Sequence, residues 1–303
     1  MERVVSLDVA ADGHHSDISV HRWQQAGKWF AYGEHAIFSR IDGRGDALLL
    51  LHGFPTASWD WNRIWSYLTP SHQVLVADML GFGFSDKPVD YPYSLIDQAD
   101  LQQGWLEAMG IRRVHLLAHD YGCSVAQELL AREQEGSLPF SIASACFLNG
   151  ALFPEVHQPI LIQKLLVGPL GGLVSRGLTR GVFDHNFSKL FGHQTRPSRS
   201  ELNSFWQLLV YNNGRGILHR LIRYMDERRC HRNRWVGALQ NAPQPLRLIS
   251  GTADPVSGIA MADRYRQLIP LPDVIALDGI GHYPHYENPV QVFEAVRDFH
   301  TRV

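Results

Sequence analysis

"HLLAHDYGCSVAQELL", residues 115–130, runs from an unbroken apolar stretch through a short polar turn into a segment with helical spacing. Ala118 stands two residues before Asp120, and Gly122 two residues after it. A strand that folds straight into a helix needs small residues at those two positions, because the helix packs close against its own strand. Such a turn lifts its apical side chain, here Asp120, to the sheet edge and aims the Tyr121 amide into the same space. The plain alternative is that Asp120 only caps the helix.

The flanking sequence predicts the sheet to which this strand belongs. "ALLLLH" (47–52), "QVLVAD" (73–78) and "RVHLLAH" (113–119) are short apolar runs bounded by turn residues, as buried parallel strands are. "SIASACFLN" (141–149), "PLRLISG" (245–251) and "DVIALDG" (273–279) continue the series, and "WFAYGEHAIFSRI" (29–41) reads as a hairpin turning near Gly33-Glu34. Helical periodicity separates them, as in 94–110, and "PVQVFEAVRDFH" (289–300) closes the chain as a helix. The alternation predicts an α/β fold whose mostly parallel sheet is covered by helices on both faces. Between about 150 and 240 it stops, and the best helical candidates are 158–167, 198–213 and 215–230. We therefore expect a core domain of 1–152 and 239–303, and an inserted all-helical cap of 153–238 over the carboxyl ends of the strands.

Bulk properties exclude several function classes. The formal charge of −2 gives no global pull toward nucleic acid or an anionic membrane. Cys123, Cys146 and Cys230 are an odd set without paired spacing, which argues against a disulfide framework and for a reducing compartment. The start, "MERVVSLDVAADGHH", has no apolar core of a signal peptide. The most apolar stretch, "LIQKLLVGPLGGLV" (161–174), carries a lysine, a proline and three glycines, so no integral span is expected. The expectation is a cytoplasmic protein, with its oligomeric state open.

Four loops that follow candidate strands hold the chemistry-bearing residues. In "LLHGFPTASWDW" (50–61), the turn His52-Gly53-Phe54-Pro55 either aims the Phe54 amide into a site as an oxyanion donor or is simply a strand-to-helix turn. The second loop carries Asp120. "LISGTADPV" (248–256) places Asp254 just past a strand, and "DGIGHYPHYENP" (278–289) places His282 before the last helix. Nucleophile, acid and histidine in that chain order match the α/β-hydrolase arrangement. Four other features are set aside. The histidines of "HYPH" (282–285) have a proline between them and no further ligand cluster, so no metal is expected. "GFGFS" (81–85) lacks the third glycine of a dinucleotide fingerprint. The arginines of "HRLIRYMDERRCHRNR" (219–234) stand among Asp226 and Glu227 and read as a solvated face with local ion pairs. Cys123 reads as packing.

These strings carry a family resemblance. "LLLLHGFPTASWDW", "DMLGFGFSDKP", "HDYG", "AQELL", "RWVGAL" and "HYPHYENP" resemble the α/β-hydrolases of the epoxide hydrolase and haloalkane dehalogenase branch. "HDYG" with "RWVGAL" is similar to the mesoderm-specific transcript subgroup, and the likeness spans about residue 29 to the end. It implies a cofactor-free hydrolase of a small hydrophobic substrate, an epoxide or alkyl halide. Asp120 would form an alkyl ester. His282, held by Asp254, would activate a water against it, and the Phe54 and Tyr121 amides would hold the oxyanion. A carboxylate is already ionised near neutral pH and needs no base to activate it, unlike a serine. Tyr121 stands where dehalogenases carry a halide-binding tryptophan, so the departure favours ring opening, with Trp206 or Trp235 left as cap tryptophans for a halide. Tyr224, and after it Tyr211, are the candidate proton donors to an opening epoxide, with core packing the competing role for each. His52 and His119, beside the two turns, complete the candidate pocket residues. A non-catalytic binding protein on the same fold is the rival reading.

Overall fold

The computed structural model describes residues 17–302. The expectation of no signal peptide falls on residues 1–16, outside them. Eight strands form one sheet: β1 (Lys28–Tyr32), β2 (His35–Asp42), β3 (Asp46–Leu51), β4 (His72–Ala77), β5 (Arg113–His119), β6 (Ser141–Leu148), β7 (Leu246–Gly251) and β8 (Val274–Leu277). Their spatial order is β1-β2-β4-β3-β5-β6-β7-β8. The first two strands pair as the predicted hairpin, β2 runs antiparallel to β4, and every pairing from β4 to β8 is parallel. After its first residue each of β3, β5 and β6 is buried throughout, and β7 is buried from end to end. That is why these runs are continuously apolar rather than alternating: both faces of the sheet are covered.

The helices are α1 (Val20–Gln25), α2 (Trp65–Leu68), α3 (Leu95–Ala108), α4 (Tyr121–Gln134), α5 (Leu161–Val167), α6 (Gly171–Gly177), α7 (Arg180–Ser188), α8 (Arg199–Val210), α9 (Leu218–Leu221), α10 (Tyr224–Cys230), α11 (Arg232–Gln240), α12 (Ile259–Leu268), α13 (Pro284–Glu287) and α14 (Pro289–His300). Local chemistry sets several ends. The Ser94 hydroxyl accepts from the Asp97 amide at the start of α3, and Asn288 caps α14, whose first residue is a proline. Among the described residues, every regular element between β6 and β7 is helical, and α5 to α11 all lie there. The stretch is more broken than its periodicity predicts. Asn212 and Asn213 take left-handed angles (φ 51° and 60°) and end α8, so 198–213 is not one helix. Among the described residues, no helix is long and apolar enough to cross a membrane.

Candidate active site

Asp120 lies between β5 and α4 with φ 42° and ψ −105°, a conformation an L-residue adopts only where its surroundings enforce it. Here the close approach of α4 to the sheet enforces it. A Cβ on Gly122 would sit 2.4 Å from the Leu51 carbonyl oxygen, and the Gly122 amide donates to the His52 carbonyl at 3.0 Å. The Asp120 side chain makes no cap bond to α4. Its Oδ2 accepts instead from the Phe54 amide, at 3.0 Å. The loop after β3 thus aims its backbone donor at a carboxylate oxygen.

His282 and Asp254 come from the loops after β8 and β7. His282 Nδ1 meets Asp254 Oδ2 at 2.8 Å, and both groups are buried. Asp254 Oδ2 also accepts from Ser257 Oγ at 2.7 Å and Asn149 Nδ2 at 2.8 Å, while Oδ1 accepts from the Val256 amide at 2.8 Å. The carboxylate can therefore turn neither away nor over. Burial opposes a charge on Asp254, but the His282 imidazole and these donors outweigh it and hold the acid below its usual range. Burial likewise opposes an imidazolium at His282, yet the carboxylates of Asp254 and Asp120 raise it to about 9. Asn149 (φ 39°) was not legible as a site residue. Its amide group joins Asp254 to the Gly251 backbone, a role set by the neighbouring strand.

Arg228 of α10 is the other residue that the sequence did not single out. It is buried against the strand-to-helix turn at Asp120, with Nη2 2.9 Å from the Asp120 carbonyl oxygen and 3.6 Å from Asp120 Oδ1. Burial pushes the Asp120 carboxyl up, and Arg228, then His282, outweigh it and hold it below its usual range. The arginine-rich run is thus not one solvated face. Arg223 and Arg229 pair with exposed Asp226 as expected. Glu227, however, accepts from the Leu95 amide at 2.8 Å, and Arg228 turns inward.

A family model described as the alpha/beta hydrolase fold matches residues 46–289. The chain belongs to the α/β-hydrolase family. Its relatives include the mesoderm-specific transcript homolog protein of Homo sapiens, 42% identical over 295 residues that span 93% of this chain and 88% of that protein. The protein LipZ of Mycobacterium tuberculosis (strain H37Rv) is 40% identical over 279 residues, 91% of this chain and 96% of LipZ. The crystal structure of haloalkane dehalogenase DbeA from Bradyrhizobium elkani superposes with a TM-score of 0.75 at 21% identity, over 90% of this chain and 96% of that one. At that identity it speaks to the fold alone.

In this α/β-hydrolase, a cleft enclosing about 610 Å³, the part open to solvent included, reaches His282 and Phe54. Its walls come from the helical stretch, with Ile160, Leu166, Leu178, Phe183 and Leu209 among them, so it suits an apolar guest. Tyr224 packs edge-on against Tyr121 (ring centroids 5.1 Å apart) and tilted against Phe54 (5.6 Å). Its buried hydroxyl lies beside the side chains of Gln163 and Arg228. Tyr211 is not in this group. It is partly exposed and packs on Phe84 and Lys87. Trp206 stacks at a tilt on the cleft residue Phe183 without lining the cleft itself, and the Trp235 indole donates to Glu128 at 2.8 Å. No tryptophan lines the cleft among the described residues. His52 is committed to the backbone: Nε2 accepts from the Met79 amide at 3.0 Å, so Nδ1 donates to the Gly53 carbonyl.

The two histidines of "HYPH" diverge. His282 joins Asp254, whereas His285 turns to Asp60 and His119, and these last three each place a ligand atom within 4.8 Å of the others. The expectation of no metal rested on the local spacing, which cannot see Asp60 and His119 arriving from other loops. His119 Nε2 donates to the His282 carbonyl at 2.8 Å, which leaves Nδ1 bearing a lone pair. Burial pushes the Asp60 carboxyl well above its usual range. Asp60 Oδ1, His119 Nδ1 and both ring nitrogens of His285 are buried without a hydrogen-bond partner in the protein, while Thr56 donates to Asp60 Oδ2.

Proposed function

We propose that this α/β-hydrolase opens small apolar epoxides by a cofactor-free, two-step route through an ester on Asp120, with the segment 153–238 serving as a lid over the site. The observation that carries this reading is the Asp120 carboxylate at the elbow, accepting from the Phe54 amide rather than capping α4. In a serine hydrolase the oxyanion belongs to the substrate. With an aspartate nucleophile it forms on the aspartate's own carboxyl oxygen, so a backbone donor trained on Oδ2 is the arrangement this chemistry needs.

In the first step the free Asp120 oxygen attacks an epoxide carbon and the C–O bond breaks. Tyr224 gives its proton to the released alkoxide. In the second step water attacks the ester carbonyl of Asp120 and His282 takes its proton. The Phe54 and Tyr121 amides hold the tetrahedral oxyanion, which collapses to expel the diol oxygen, and that oxygen takes the proton from His282. Collapse leaves Asp120 as a carboxylic acid; its proton, passed through solvent, restores Tyr224 and completes the cycle, and the sum is epoxide plus water giving a diol. Ester formation also removes one of the charges that raise His282, so its pKa falls when a base is required. Among the described residues no tryptophan lines the cleft, which favours an epoxide over an alkyl halide, whose leaving anion needs such donors.

The test is intact-mass spectrometry of His282→Gln with a panel of epoxides and haloalkanes. Alkylation of Asp120 by epoxides, together with diol production by wild type, is expected. Adducts from haloalkanes alone, with halide release by wild type, would move the protein to dehalogenation. No adduct across the panel would leave a binding protein on a hydrolase fold.

A further inference from the structure

Beside His282, three residues from separate loops bring polar atoms to one buried spot. Asp60 lies in the short turn Ser58–Arg63 that follows β3, His119 ends β5, and His285 sits in α13. All three are fully buried, and one ligand atom from each lies within 4.8 Å of the others. Asp60 Oδ1, His119 Nδ1 and both nitrogens of His285 have no hydrogen-bond partner in the protein. Four such atoms in one place call for a shared partner. Each side chain is also held from behind. The second ring nitrogen of His119 donates to the His282 carbonyl at 2.8 Å, Thr56 donates to Asp60 Oδ2, and the His285 ring packs on Trp61 with centroids 4.1 Å apart. A histidine that gives one N–H to a backbone carbonyl keeps a lone pair on its other nitrogen, as metal-bound histidines do.

We propose that Asp60, His119 and His285 form a structural site for a divalent cation of the zinc class, with water completing four-fold coordination. Two imidazoles and one carboxylate suit zinc, whereas magnesium and calcium prefer oxygen donors throughout. An atom set between the three reaches all of them, and zinc bonds of about 2.0–2.2 Å draw the ligands in by only a fraction of an ångström each. Charge points the same way. Asp60 feels the like charge of the buried Asp78 and the opposite charge of His282, and a dication adds the stronger counter-charge. None of the three residues lines the cleft, so the ion takes no part in the two-step route. It clasps the loops after β3, β5 and β8 and so fixes the backbone that carries His282. The site stands on these three residues and does not depend on which group is the nucleophile.

The test uses the full chain without an affinity tag, stripped with a chelator, dialysed, and titrated with Zn2+ against a chromophoric competitor. Wild type is expected to bind about one equivalent tightly, and its urea midpoint to rise with free zinc. Co2+ in place of zinc should give the visible bands of a four-coordinate site. Asp60→Asn and His285→Gln should each weaken zinc binding by more than about a hundredfold, beyond the loss of an outer-sphere contact, and remove the rise in midpoint. His282→Gln, and His193→Gln at an exposed histidine, should keep both. If one trio variant does not fold, the other decides, and the Co2+ spectrum of wild type needs neither. A wild type that binds no zinc, with a midpoint indifferent to it, overturns the site and leaves a water among the three groups. Binding lost in His282→Gln or His193→Gln but kept in Asp60→Asn and His285→Gln puts the ion elsewhere and overturns it as well.

Discussion

Replacing Asp254 by asparagine tests the proposed triad through a group that never touches substrate. Asp254 Oδ2 accepts from His282 Nδ1 (2.8 Å), Ser257 Oγ (2.7 Å) and Asn149 Nδ2 (2.8 Å), and Oδ1 from the Val256 amide (2.8 Å). An asparagine that keeps the Val256 bond must set its NH2 against three donors. Two can adapt. The Ser257 hydroxyl turns to the Asn149 carbonyl, already 2.7 Å away, and the imidazole takes its other tautomer. Asn149 cannot flip, because its Oδ1 holds the Gly251 amide at 2.8 Å. One buried donor is left facing another, at a cost of about 1–3 kcal/mol. The tautomer change does the greater damage, since it places the proton on Nε2 and removes the lone pair that must receive a proton from water. Ester hydrolysis should slow by about 10³- to 10⁴-fold, which corresponds to roughly 4–5.5 kcal/mol of barrier. Alkylation of Asp120, which needs no base, should persist. Rapid-quench intact mass gives the lifetime of the ester, and urea unfolding gives the stability. An ester that decays within tenfold of the wild-type rate would refute the assigned role of Asp254.

Tyr224→Phe should slow alkylation by epoxides about 10²- to 10⁴-fold and leave the lifetime of a preformed ester unchanged, because the tyrosine donates only in ring opening; equal loss in both steps would make it a packing residue. Burial opposes the His282 cation, but the carboxylates of Asp254 and Asp120 outweigh it and raise its pKa from 6.5 to about 9. Its share of stability is thus complete below pH 6.5 and is lost as pH climbs through 9, at most about 3 kcal/mol. Unfolding free energies across pH 6–10 should show that decline in wild type and a flatter profile in His282→Gln. Gly122→Ala forces a methyl to within 2.4 Å of the Leu51 carbonyl oxygen and should cost about 1–3 kcal/mol or more with loss of alkylation; an unperturbed melting temperature would show that the elbow can relax. Glu128→Ala strips the Trp235 indole and the Arg132 and Arg234 guanidiniums of a buried carboxylate and should cost about 3 kcal/mol, read from the urea midpoint.

The parts of this protein that were legible in sequence are those governed by neighbours along the chain. Helix α14 begins and ends where proline, asparagine cap and apolar spacing place it, at 289 and 300. The hairpin turns at Gly33-Glu34, between β1 and β2. The small residues around Asp120 announced the elbow because the clash they avoid is with the chain's own adjacent strand. The helical stretch was legible only coarsely. Its helices are short, and the break at Asn212-Asn213 is a matter of two left-handed residues that periodicity does not register.

Arg228 marks the limit of that reading. In sequence it is one arginine among many, between Glu227 and Arg229, on a helix of seven residues. Whether it meets water or a carboxylate depends on how α10 is turned toward an elbow 108 residues earlier in the chain. The same holds for the Asp60, His119 and His285 trio and for Asn149 beneath Asp254. Residue order alone determined that a carboxylate stands at a sharp strand-to-helix turn, with an acid and a histidine to follow. Only tertiary packing decided which buried donors face that carboxylate, because partners drawn from distant segments leave no periodic trace in the chain.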